Sequence, residues 1–256
     1  MLAYTLQDKY PKDMGGMLGL ILSNSDDIPK RTDFLNQLKN NQIIDSYVFM
    51  LDYKDNNYNG VLYIGNYFHD IDRSISKDDL IISKINSILK YNWEMNIEAI
   101  ISNNYIIKNI TNLQLYYELG IIASPEYYHK YILENFFKSY IKNQVCEEIY
   151  NKEENKLIGQ YYYITCRKSD MNIVSFENLI FYSRDMNYNF TLNYKDLFYE
   201  FDNEIYFLIV FPKYQLEENW YIGKPFFLKY KLFLDKDRKT IGIYKNYNEN
   251  IIDKMK

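Results

Sequence analysis

Trp220-Tyr221-Ile222-Gly223-Lys224-Pro225-Phe226-Phe227-Leu228-Lys229-Tyr230, followed by Phe233-Leu234-Asp235-Lys236-Asp237-Arg238-Lys239-Thr240-Ile241-Gly242, is the stretch that decides the fold. Its first glycine, Gly223, follows Tyr221-Ile222, and similar surroundings recur at Met17-Leu18-Gly19 and Glu118-Leu119-Gly120. Only nine glycines and five prolines punctuate the 256 residues, so each glycine marks a turn or a close approach of backbone.

Outward from that stretch, short apolar runs alternate with turn signals, the pattern of a mostly β fold. Tyr47-Val48-Phe49-Met50-Leu51, Val61-Leu62-Tyr63-Ile64 and Glu98-Ala99-Ile100-Ile101 are examples. Between the first two lies Asp55-Asn56-Asn57-Tyr58-Asn59-Gly60, whose closing Asn-Gly supplies the positive φ angles of a tight hairpin. Two stretches read as helices: Thr32 to Asn40, with Phe34, Leu35 and Leu38 on one face, and Pro125 to Lys142, where Pro opens the first turn. Both are expected at the periphery of the sheets.

At 31.1 kDa with 47% hydrophobic residues, the chain is long enough to bury a sizeable core. Its formal charge of -4 comes from 34 acidic and 30 basic side chains with no basic block among them, which argues against a nucleic-acid partner. No segment reaches the roughly 20 apolar residues of a membrane-spanning helix. The 29 tyrosines accompany abundant Ile, Asn and Lys, all with A/T-rich codons, so codon bias accounts for them without a binding surface. Met1 to Lys9 lacks the basic start, apolar core and small-residue cleavage site of a secretory signal and, read alone, points to the cytosol. Cys146 and Cys166 are too few for a disulfide scaffold or a four-ligand zinc site; two buried thiols or a single bridge both remain open.

The order of these segments resembles that of the pepsin-like aspartic proteases. In that family each lobe carries a catalytic Asp-Thr/Ser-Gly loop and, later, a hydrophobic-hydrophobic-Gly segment that threads past it. Gly16-Met17-Leu18-Gly19-Leu20 resembles the amino-lobe segment. The helix before Asn40, the strand Tyr47 to Leu51, the glycine-bounded Gly60 to Gly65 and the Tyr91-Asn92-Trp93-Glu94-Met95 strand then follow in the family's succession. Trp220 to Tyr230 resembles the family's Trp-Ile-Leu-Gly-(x)-(x)-Phe-Leu-(x)-(x)-Tyr stretch, and Phe233 to Gly242 its Phe-Asp strand and Ile-Gly finish.

The resemblance implies a mostly β, pepsin-like fold with a truncated amino-terminal lobe and a complete carboxyl-terminal lobe. Residues 1–54 would be the amino-lobe remnant with interlobe strands, 55–250 the carboxyl-terminal lobe and 251–256 a tail. It also implies structural roles for Gly19, Gly120, Gly223 and Trp220, and a bridge between Cys146 and Cys166 in an oxidising lumen of the secretory or lysosomal kind. The sequons at Asn109 and Asn189 are glycosylation candidates in that compartment.

Aspartic protease chemistry needs two carboxylates sharing a proton so that one water is activated, for which pepsin is the type case. The first Asp loop belongs far upstream of Gly16, yet only fifteen residues precede that position here. The second falls in Leu115-Tyr116-Tyr117-Glu118-Leu119-Gly120-Ile121-Ile122-Ala123-Ser124-Pro125. Aligning the Gly puts Glu118 at the Asp position and Leu119 at the Thr/Ser position; aligning the Pro puts Tyr116 there instead. Glu118 would displace the carboxylate by over an ångström, and a shift of that size costs on the order of a hundredfold in rate. Leu119 lacks the supporting hydroxyl. The expectation is therefore a catalytically inactive homologue, used as a binding or structural module with a protein, a peptide, a further lobe or a second copy as partner. The alternative is a piece of a longer aspartic endopeptidase.

Other chemistries find no footing. Asp55 to Asn66 begins like an EF-hand loop but ends in Asn instead of Glu, and Asp235-Lys236-Asp237 fails at its sixth and twelfth positions, so both read as turns. His69 and His129, the only histidines, lack companions at metal-ligand spacing, and neither a metal nor a cofactor is expected.

Overall fold

The computed structural model describes residues 34–53, 60–71, 75–84, 93–103, 105–214 and 218–244. The segment Gly16 to Leu20 with Gly19, the hairpin turn 54–59, the beginning of the Tyr91 strand and the tail 251–256 lie outside the described residues.

The chain divides into two compact units, Met1–Trp93 with Tyr230–Lys256, and Glu94–Lys229. Residues 55–93 and 230–250 belong to the first of these units, together with residues 1–54. Strand pairing is the reason, because a sheet draws its members from both ends of the chain.

In the first unit, helix α1 (Phe34–Asn40) buries Leu35 and precedes β1 (Val48–Tyr53), which pairs antiparallel with β2 (Gly60–Ile64). The strands form the expected hairpin, but Gly60 pairs with Tyr53 as the first residue of β2 and has no positive φ, so the tight Asn-Gly turn read from the sequence is not formed at that glycine. A short helix α2 (Phe68–Ile71) and β3 (Leu80–Lys84) follow.

The second unit opens with β4 (Glu94–Ser102) and β5 (Tyr105–Leu115), a long antiparallel pair, and continues through β6 (Ile122–Ala123) into the helical stretch after Pro125. That stretch is α3 (Glu126–Ile132), a π-helical turn over Leu133–Phe137, and α4 (Lys138–Lys142). Pro125 caps α3 in extended conformation, so the helix starts at Glu126, one residue later than the sequence reading placed it.

The remaining strands are β7 (Cys146–Asn155), β8 (Gly159–Arg167), β9 (Leu179–Ser183), β10 (Tyr188–Leu192), β11 (Phe198–Phe201), β12 (Glu204–Phe207), β13 (Ile209–Pro212) and β14 (Trp220–Ile222). Helix α5 (Tyr194–Leu197) starts in a capping box in which Asn193 and Asp196 satisfy each other's backbone, and α6 (Lys224–Lys229) ends the unit. The sheet runs β10-β9-β4-β5-β14-β6-β13-β8-β12-β11, with β7 on β8.

Returning to the first unit, β15 (Leu232–Asp235) and β16 (Thr240–Tyr244) complete a five-stranded sheet in the order β2-β1-β15-β16-β3. One face packs Val48, Met50, Phe68, Phe233 and Tyr244 into a core. The carboxylates after β15 close a turn, as expected: Asp235 accepts the Arg238 N–H at 2.9 Å and Asp237 the Tyr47 N–H at 3.0 Å.

Cys146 and Cys166 stand opposite each other on β7 and β8 and form a disulfide. At a sequence separation of 20, chain entropy puts its contribution at about 3 kcal/mol. The double substitution Cys146→Ala/Cys166→Ala is expected to lower the urea midpoint accordingly, and a reductant should no longer shift the midpoint of that variant. The sequon asparagines Asn109 and Asn189 are exposed on β5 and β10.

Candidate functional site: the Tyr116–Ile121 loop

The loop connecting β5 to β6 is held from behind by β14. Trp220, Tyr221 and Ile222 run parallel to Leu113, Gln114 and Leu115, and Tyr221 also pairs antiparallel with Ala123. The strand that enters the loop and the strand that leaves it are thus joined through a third, arriving from about a hundred residues later. Its backbone also grips the loop: the Tyr116 N–H donates to the Ile222 carbonyl at 2.8 Å, and the Lys224 N–H to the Leu119 carbonyl at 2.7 Å.

Gly223 lies at the crossing. A Cβ there would stand 2.1 Å from the Ile121 carbonyl oxygen and 2.2 Å from that of Leu119, so only glycine fits. Immediately afterwards α6 starts and buries Pro225, Phe226 and Phe227. Pro here gives up no needed donor, because the first N–H groups of a helix have no intrahelical acceptor.

Aromatic contacts fix the loop's side chains. Tyr117 stacks on Phe227 with ring centroids 4.0 Å apart, and Tyr116 meets Tyr221 edge-on at 5.4 Å. The Tyr116 hydroxyl donates to Gln114 Oε1 at 3.1 Å. Trp220, fully buried, donates from its indole nitrogen to the Tyr127 hydroxyl at 2.6 Å and packs edge-on against Phe181. Burial pushes the Tyr127 hydroxyl up to about 12, against the pull of the Trp220 and Thr111 hydrogen bonds, so it stays protonated as a fixed anchor.

The residues that the sequence reading singled out within this loop stand in different settings. Glu118 is exposed at the tip of the loop, Leu119 is buried beneath it, and Gly120 is half-buried. The residue that directly follows β5 is Tyr116. Phenols ionise only near pH 10, so a tyrosine there supplies no base in acid. Ser124, next to Pro125, is buried with its hydroxyl unpaired. No Asp lies anywhere between Tyr105 and Lys168. Sequence reading missed the Tyr117–Phe227 stack and the Trp220–Tyr127 anchor. Tyr127, two residues after the Pro125 turn, was the one legible hint of the latter.

The histidines are packed side chains. His129 lies face to face with Phe211 at 4.0 Å and bonds Glu148 at 2.5 Å, and His69 stacks on Tyr67 and contacts Tyr244. Among the described residues no group of three or more His, Cys, Asp or Glu could hold a metal ion, and no helix is long and apolar enough to cross a membrane.

Threaded strand, crossing glycine and buried Trp together define a mostly β, pepsin-like fold, and a comparison with solved structures supports that class. Among the matches is the crystal structure of basic 7S globulin from soybean, similar with a TM-score of 0.67 at 12% identity over 97% of this chain and 61% of that one. The chain thus spans about 61% of the globulin's length, and at this identity the likeness concerns the fold alone. No protein-family model and no curated protein matches the sequence.

Proposed function

We propose that the chain is a pepsin-fold protein without peptidase activity of its own, used as a binding or structural module. The observation that carries this reading is the Tyr116–Ile121 loop: its scaffold of β14, Gly223 and β6 is built, while the residues it presents are Tyr116, Tyr117 and an exposed Glu118 in place of a held Asp. Proton-sharing carboxylate chemistry needs two such groups at close range. One exposed, unheld carboxylate does not provide it.

Within this reading, Glu94–Lys229 corresponds to the greater part of a carboxyl-terminal lobe, and the Cys146–Cys166 bridge favours an oxidising secretory or lysosome-like compartment. Partners would be proteins or peptides, among them a further lobe or a second copy. The statine inhibitor pepstatin mimics the reaction's tetrahedral state between two Asp residues. Calorimetric titration of the chain with pepstatin at acid pH is expected to give no saturable heat; one-to-one binding would overturn the proposal.

A second reading, a piece of a longer aspartic endopeptidase, draws on the 61% coverage of the soybean globulin. Sequencing the transcript upstream of the Met1 codon separates the two, because an in-frame stop codon just before Met1 is incompatible with it.

A further inference from the structure

Apart from the Tyr116–Ile121 loop, the Glu94–Lys229 unit holds a cavity of about 560 Å³. Its wall includes Tyr105 of β5, Tyr131 of α3, Phe136 of the π-helical turn, Tyr140 of α4, and Phe176 and Glu177 just ahead of β9. Phe136 meets Phe176 edge-on at 4.8 Å and leans on Tyr140 at 5.7 Å. Tyr105 is 70% exposed, an expensive place for a ring that serves only the core.

Charge gives the cavity a sign. Among the described residues, Glu177 is the single carboxylate in the wall, and no Lys or Arg lines it. Ser102 donates to the Glu177 carboxylate at 3.4 Å, a long contact. Buried Tyr128 nearby is held neutral first by its burial and then by the fields of Tyr131 and Glu177. The π-helical turn is the second departure from the ordinary. Such turns are rare and recur at functional sites, and this one contributes Asn135 and Phe136 to the wall.

Ring faces carry negative quadrupole density and attract ammonium and guanidinium groups, more strongly where water is excluded. A carboxylate beside the rings adds to that attraction and repels anions. We infer that this cavity binds an organic cation, an alkylammonium or guanidinium group, presented either by a small molecule or by a lysine or arginine side chain of a peptide. The inference uses none of the residues in the Tyr116–Ile121 loop and stands whether or not the chain cleaves peptides.

The test titrates the full chain with choline and with its neutral isostere 3,3-dimethylbutan-1-ol, following tyrosine and phenylalanine ring signals by NMR. Choline is expected to produce saturable shifts of the cavity rings and to bind about tenfold more tightly than the alcohol. Glu177→Gln, at an exposed position and checked for native circular dichroism, is expected to weaken choline binding several-fold. Parallel titrations with end-blocked Gly-Lys-Gly and Gly-Arg-Gly distinguish the sources: tighter binding of a peptide than of choline points to a side chain, and the reverse to a small molecule. Absence of saturable shifts with all three cations, equal affinity for choline and the alcohol, or unchanged binding in natively folded Glu177→Gln would each overturn the inference.

Discussion

Gly223→Ala is expected to destabilise the chain by about 3 kcal/mol, or to prevent folding outright. The added Cβ meets two carbonyl oxygens at 2.1 and 2.2 Å and the Leu119 carbonyl carbon at 2.9 Å, all of them backbone. A flexible side chain could swing away from such a contact; these atoms cannot, because they belong to the loop that the Lys224 N–H and the β14 pairings hold in place. Gly159 supplies the comparison. It has φ +68° with open space around it, so Gly159→Ala should cost only the left-handed backbone strain of about 1 kcal/mol. Urea unfolding of the two variants side by side measures the difference. Equal destabilisation would mean that the crossing at Gly223 is not the tight point described here.

The second large effect concerns the other unit. Asp52 on β1 is 1% exposed, and Lys231, just before β15, places its ammonium 2.8 Å from the Asp52 carboxylate and 2.8 Å from the Tyr53 carbonyl. Lys231→Met keeps most of the length of the side chain and removes the charge, leaving the carboxylate buried without its ammonium, and is expected to cost about 3 to 5 kcal/mol. Adding Asp52→Leu to that variant should recover much of the loss, since replacing both members of a buried pair by apolar residues is close to neutral. A double variant no more stable than Lys231→Met would show that the ion pair is not what Lys231 contributes.

Much of this architecture was legible from sequence, for local reasons. Two apolar runs separated by polar residues marked the hairpin of β1 and β2, although its Gly60 is a strand residue without positive φ, and Trp220-Tyr221-Ile222-Gly223 marked the threaded strand. Asp235 and Asp237 were legible as turn residues because Thr240 and Asn246 break the calcium pattern they begin, and both accept from backbone N–H groups. The resemblance-based bridge between Cys146 and Cys166 is present, at directly opposed positions of one strand pair.

What escaped sequence reading depends on contacts between distant segments. The five-stranded sheet is one such feature: it joins β15 and β16, late in the chain, to β1 and β2. The π-helical turn at Leu133–Phe137 was not read from the sequence, which treated Pro125 to Lys142 as one continuous helix. The choice between Tyr116 and Glu118 turned on a gap that sequence spacing alone could not place. The end of β5 at Leu115 makes Tyr116 the first residue of the loop and leaves Glu118 exposed beyond it.

The account turns on whether a pepsin-like scaffold presenting Tyr116, Tyr117 and Glu118 can cleave a peptide bond. Incubating the purified chain with a denatured protein across the acid pH range, with and without pepstatin, and mapping products by mass spectrometry answers this directly. The account predicts no cleavage at any pH above that of a blank. Peptide products that appear with the chain and disappear with pepstatin would contradict it.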